Sequence, residues 1–172
     1  MNQLQQLFGE PSARSRDKVR SYMVDRVQDF IRQSPFLVMA SSSDSGACDA
    51  SPKGGTPGFV KVLDAKYLLI PDVAGNKLFQ SYENIASNPN VGLVFFIPSV
   101  DGTARVNGRV TVLRKGDEAF DRLTLEVFAP DENAKLQQAL LLEVEEAYHH
   151  CPRALKFSKL WTTEPENGPG DD

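Results

Sequence analysis

Apolar residues recur at two different spacings along this chain, and the switches between them mark its elements. Between positions 17 and 33, Val19, Met23, Val27, Phe30 and Ile31 fall three or four apart, which sets them on one face of a helix. Ser34-Pro35 ends that pattern. Residues 36–40 are a short apolar run bounded by Pro35 and by Asp44, Ser45 and Gly46, which predicts a strand and a hairpin turn. Residues 48–63 contain Pro52, Gly54, Gly55, Pro57 and Gly58, too many breakers for one central strand, so two strand pieces flanking an ordered loop are expected. Another strand is predicted at 67–71 and a loop at 72–75. A helix at 77–87 then carries Leu78, Tyr82 and Ile85 on one side and stops at Asn88-Pro89.

Residues 91–97 and 103–113, joined at 99–102, read as a long antiparallel hairpin. A helix is predicted at 116–127 with Asp117 as its cap. Residues 140–148 fit both periods: Leu142, Val144 and Glu146 alternate as in a strand, while Leu140, Val144 and Ala147 match a helix. Pro152 suits the first turn of a last short helix that leads Leu155, Phe157 and Leu160 to Trp161. Six or so strands with short helices between them predict an α+β domain on an antiparallel sheet, and closure into a small barrel would remove the sheet's exposed edges.

At 172 residues and 41% hydrophobic, the chain is long enough for one core. A net charge of −4 supplies no basic field for nucleic acid or an anionic membrane. No apolar run reaches the roughly 20 residues that cross a bilayer, and the polar start lacks a signal peptide's apolar middle, so a cytoplasmic protein is expected. Its expected partners are small molecules or copies of itself. Cys48 and Cys151 form neither a CxxC pair nor a disulfide framework.

Three segments have the composition of a binding site. Residues 49–58 offer the hydroxyl of Ser51, Lys53 and the amides of Gly54 and Gly55, groups that can cradle an anion, although the spacing is neither a Walker loop nor a dinucleotide fingerprint. Ile70, Pro71 and Asp72 end a strand, and Asn76 with Lys77 opens the following helix, where free amides attract anions. Arg105, Asn107 and Arg109 alternate with Ala104, Val106 and Gly108, so the polar three share one sheet face. Each segment reads equally as ordinary surface: a loop, a capped helix, a solvated strand. His149-His150-Cys151 has no third ligand at a metal-site spacing, and no nucleophile elbow or catalytic triad is recognisable.

Taken in order, several short motifs make the chain resemble the pyridoxamine 5′-phosphate oxidase-like superfamily, and within it a group of FMN-dependent proteins. They are Ser51-Pro52-Lys53-Gly54 with Pro57-Gly58-Phe59-Val60, Leu69-Ile70-Pro71-Asp72 with Gly75-Asn76-Lys77, and Asn84-Ile85 with Asn88-Pro89. Val91-Gly92-Leu93, the stretch from Arg105 to Arg109, His150-Cys151 and Leu160-Trp161 continue the series, so the resemblance runs from about residue 34 to 161. It implies a mainly β, α+β fold: a six-stranded antiparallel split β-barrel with flanking helices. In that arrangement residues 1–34 are a helical segment packed on the barrel, 35–161 the FMN-binding domain, and 162–172 a disordered tail.

The resemblance also implies a homodimer with FMN in two grooves lined by both chains. Ser51, Pro52, Lys53 and Gly54 would border the flavin, Ile70, Pro71 and Asp72 its ring or ribityl chain, and Asn76 and Lys77 its phosphate. Arg105 and Asn107 would complete the groove, with Lys156 and Trp161 reaching in from the second chain. The implied activity is an FMN-dependent oxidoreductase acting on a small molecule. It is not a true pyridoxine-phosphate oxidase, whose C-terminal Arg and His signature is unrecognisable after Trp161. A non-catalytic flavin or haem carrier or sensor, with His149 or His150 on iron, is the alternative, and a dimer that has lost its ligand is a third. Val73, Ala74 and Leu78 stand where the group commonly has basic residues and a proline, and Gly55 where it is often acidic; the former weaken the phosphate grip.

Overall fold

In a computed structural model the chain folds around one antiparallel sheet. The structure describes residues 2–73, 78–122 and 136–162. Helices α1 (Gln3–Phe8), α2 (Ala13–Asp17) and α3 (Asp25–Gln33) come first. Strands β1 (Phe36–Ser42), β2 (Cys48–Gly54), β3 (Lys61–Val62) and β4 (Tyr67–Val73) follow, then α4 (Gln80–Ser87), β5 (Asn90–Phe96) and β6 (Thr103–Arg114). Helix α5 (Glu118–Arg122), β7 (Leu136–His150) and α6 (Arg153–Ser158) complete the order. The strands lie in the order β2-β1-β5-β6-β7-β4-β3.

Two expectations about the sheet need correction. The sheet has seven strands, not six, because residues 140–148 are the middle of β7, which pairs with β6 on one side and β4 on the other. Nor is it a closed barrel: among the described residues β2 pairs only with β1 and β3 only with β4, so two edges remain. The sheet is nevertheless strongly coiled. Five interstrand gaps separate β2 from β4, about 24 Å across a flat sheet, yet Lys53 of β2 and Asp72 of β4 come within 3.5 Å of each other. Curvature brings the β2 edge beside the free end of β4 and leaves an open seam between them.

The single helix expected over 17–33 is interrupted. Arg20 forms a β-bridge with Ala147, and the Met23 amide donates to the Ala65 carbonyl at 2.8 Å, so the chain leaves the helix after Asp17 and does not resume it until α3 begins. These long-range bonds override the local period, while the apolar spacing still serves burial: Met23, Val27, Phe30 and Ile31 all enter the core. The prolines sit where no ladder bond is lost. Pro52 is in an edge strand, and Pro71 lies beyond Leu68 and Leu69, the β4 residues that β3 pairs.

Leu37, Met39, Leu93, Phe95, Val106, Leu140 and Leu142 point into the coil and form the main core with α3 and α4. Helix α4 is fastened to β1 and β2 by polar bonds: Ser81 Oγ donates to Asp49 Oδ2, and Asn84 Nδ2 to Ser41 Oγ at 3.2 Å. A smaller cluster of Leu69, Leu113, Phe120 and Ala139 packs α5 on the other face. Asp117 accepts from the Arg114 amide at 2.7 Å. The rest of the helix expected at 116–127 and the tail at 163–172 lie outside the described residues.

Candidate functional site

Strand alternation sorts the candidate residues onto two faces. In β2, Ser51 and Lys53 pair with the buried Met39 and Leu37 and point inward, while Pro52 and Gly54 face out beside Val38 and Phe36. At the seam, Lys53 Nζ is 3.5 Å from Asp72 Oδ1, and Gln138 Nε2 donates to Asp72 Oδ2 at 3.1 Å. Lys53 also stands 5.9 Å from the centroid of the Tyr82 ring. The Tyr82 hydroxyl is buried without a hydrogen-bond partner among the described residues. Burial first, and then the negative charge of Asp72, push its pKa well above the ordinary 10.0, so it stays protonated.

Beneath α4, next to this cluster, lies a cavity of about 350 Å³ walled by Phe79, Ile85, Val110 and Val112, with Tyr82, Gln138 and Arg114 at its polar side. The chemistry assembled here is a cation, a carboxylate, an amide and a neutral phenol beside apolar walls. It suits holding and orienting a polar ligand.

The outer face of β1, β5 and β6 is different. Phe36, Val38, Val94 and Phe96 lie side by side on it, with the Phe36 and Phe96 rings 6.0 Å apart and Phe36 39% exposed. Arg105, opposite Val94, and Asn107, opposite Gly92, border this patch. Asn107 Nδ2 donates to Glu146 Oε1 at 3.0 Å.

The structure therefore brings Lys53 and Asp72 together and keeps Arg105 and Asn107 on the opposite face. Ile70 is fully buried in the core and Pro71 is buried on the other side of β4, so their side chains do not reach the seam. Asn76 and Lys77 lie outside the described residues. Lys156 is exposed, 4.0 Å from Asp101, and Trp161 Nε1 donates to the Val100 carbonyl at 3.1 Å, both at the β5–β6 hairpin. His149 points inward, edge-on to Phe30 at 5.1 Å, whereas His150 faces outward near Tyr148, so the two rings cannot converge on one ion. Tyr82 and Gln138 went unnoticed as site residues: Tyr82 reads as an apolar helix position, and Gln138 sits in a stretch without a motif.

Together these features define a coiled antiparallel-sheet domain with a polar seam and an uncovered apolar face. The family model described as pyridoxamine 5′-phosphate oxidase matches residues 23–151, and the chain belongs to that family. Among solved structures, a candidate pyridoxamine 5′-phosphate oxidase of Lactobacillus delbrueckii is 20% identical with a TM-score of 0.56, covering 75% of this chain and 95% of that one. An FMN-binding protein of Syntrophomonas wolfei matches at 11% identity and TM-score 0.52 over 73% of this chain and 87% of its own. The FAD binding protein of Mycobacterium smegmatis matches at 13% and 0.50, over 75% and 95%. No curated protein matches the chain.

Proposed function

We propose that this chain is an FMN-dependent oxidoreductase of a small-molecule substrate and works as a homodimer with a flavin at each of two shared grooves. The observation that carries the reading is the division of the candidate residues between two faces. Lys53 and Asp72 belong to the seam, Arg105 and Asn107 to the outer face, and an uncovered apolar patch lies on that outer face. Packing that patch against its copy buries Phe36, Val38, Val94 and Phe96, and it lets the outer-face residues of one chain complete the seam of the other. Helix α6 and the turn after it add to this: no residue of α6 is buried, and Phe157 in the helix and Leu160 in the turn stay 73% and 55% exposed, apolar surface that a partner would cover.

The residues present fit a flavin. As an edge strand, β2 leaves main-chain groups of Pro52 and Gly54 free of sheet pairing on its outer side, where they can meet the polar rim of the ring system whichever way the side chains point. Lys53 supplies positive charge, and the buried Arg105 Nε still lacks a partner. Bound flavin supplies the redox chemistry. The protein's own groups hold and orient it: Asp72, fixed by Lys53 and Gln138, keeps the lysine at the seam, and the neutral Tyr82 keeps the wall uncharged.

The test is a visible absorption spectrum of the purified protein before and after FMN addition, followed by gel filtration. Flavin bands that co-elute with a dimer are the expected result. A dimer that stays colourless in excess FMN refutes the cofactor assignment, and a monomer that retains flavin refutes the shared groove.

A further inference from the structure

A second polar constellation stands on the outer face near the β5–β6 hairpin. Arg105 and Tyr148 are cross-strand partners, and His150 lies two residues further along β7 on the same face. The Arg105 guanidinium is 5.4 Å and Lys18 Nζ 5.3 Å from the centroid of the Tyr148 ring, and the His150 ring is 5.9 Å away. Arg105 Nε and His150 Nδ1 are both buried and lack a hydrogen-bond partner among the described residues. Two orphaned groups on diagonal neighbours, about 7 Å apart along the sheet, are unusual in a native protein and point to a missing water or ion.

Charge decides between those two. Lys18 and Arg105 bring two cations to one ring, while the carboxylate of Glu146 is engaged by Asn107 and that of Asp101 faces Lys156. Burial first, then the charges of Arg105 and Lys18, lower the His150 pKa, so its ring is neutral and one ring nitrogen carries a proton. A water would satisfy a donor but leave the positive field in place. An anion satisfies both.

We propose that Lys18, Arg105 and His150 form an oxyanion site beside Tyr148, which takes the phosphate or carboxylate group of a small molecule. Arg105 Nε–H donates one hydrogen bond, His150 Nδ1–H a second, and Lys18 adds charge from the solvent side. Lys18 and His150 lie outside the flavin set and Arg105 belongs to both. The oxyanion is therefore either the flavin's own phosphate or a separate ligand.

The chain has two histidines, so their ring protons can be followed individually by NMR. Inorganic phosphate is titrated into the intact protein at constant ionic strength, with chloride as the balancing salt. His150 is expected to shift saturably while His149, on the opposite face, serves as control. Arg105→Gln should weaken the apparent affinity about 10-fold, the loss of one charge-assisted hydrogen bond. Lys18→Ala, at an exposed position, should weaken it about 3-fold. FMN and riboflavin then separate the sources. Phosphate displaced by FMN but not by riboflavin identifies the flavin phosphate, and phosphate that still binds beside FMN identifies a separate ligand; either result upholds the site. A His150 shift that does not saturate, equals that of His149, or is unchanged in both variants overturns the proposal.

Discussion

Lys53 and Asp72 make the side-chain contact across the open seam of the sheet, and their separation allows its contribution to be worked out. Unit charges 3.5 Å apart attract by about 5 kcal/mol at an effective dielectric constant of about 20. Both side chains retain only 13% and 15% of their exposure, so lost hydration offsets more than half of that attraction and leaves a coupling of about 1–2 kcal/mol. Asp72→Leu should cost more than the coupling, about 2–3 kcal/mol, because it strands the Lys53 ammonium beside Tyr82 and removes the acceptor of Gln138. Lys53→Met with Asp72→Leu removes both charges and should cost about 1 kcal/mol. Urea unfolding of the four proteins in a double-mutant cycle reads the coupling, and the single Asp72 variant should melt about 5–10 °C lower. A coupling below about 0.5 kcal/mol, the additivity of sites that do not interact, would refute the idea that this pair holds the seam together.

Three further outcomes follow from the geometry. A Cβ at Gly108 would overlap the Glu143 carbonyl, so Gly108→Ala should destabilise by about 3 kcal/mol or more, visible as a lower urea midpoint; an unchanged midpoint would mean that β6 and β7 can part there. His149 and His150 both titrate below the ordinary 6.5, His149 through burial first and then the charge of Arg26, so the unfolded chain binds more protons below that pH. Stability should be full above pH 6.5 and fall as the pH drops through the folded-state values, and thermal melts across that range should flatten in the His149→Phe, His150→Gln double variant. Val38→Glu places a charge inside the apolar outer patch and, if the proposed dimer forms through that patch, should elute from gel filtration as a folded monomer.

Much of the fold is legible because burial follows period. The strands around Phe36, Leu69, Val91 and Val106 fall where their apolar runs put them. The failures are long-range. Nothing local announces that Arg20 will pair with Ala147, and that bond splits the expected helix. The ambiguity at 140–148 has a specific cause. Asn107 pairs with Glu146 and Gly108 with Val144, so Glu145 is an extra, bulged residue in β7. Inward positions accordingly run 140, 142, 144 and 147, and Leu140, Val144 and Ala147 acquire a helical spacing while remaining in a strand. A period of two interrupted by one bulge imitates a period of three and a half.

The same bulge governs the site. Alternation in a sequence tells which side chains share a face, but not which face is filled, and Arg105 and Asn107 point outward because Val106 and Val110 belong to the core. If β7 ran without interruption from Val144, Tyr148 and His150 would follow Val144 inward and leave Arg105 without neighbours on its own face. The extra Glu145 reverses that parity. It returns Ala147 to the core and turns Tyr148 and His150 outward beside Arg105. Gly108, across from the bulge, is where β6 and β7 approach too closely for any side chain. The constellation on the outer face thus depends on a backbone irregularity whose two ends, Gly108 and Glu145, carry none of its functional groups, and for that reason no reading of the functional residues alone could have assembled it.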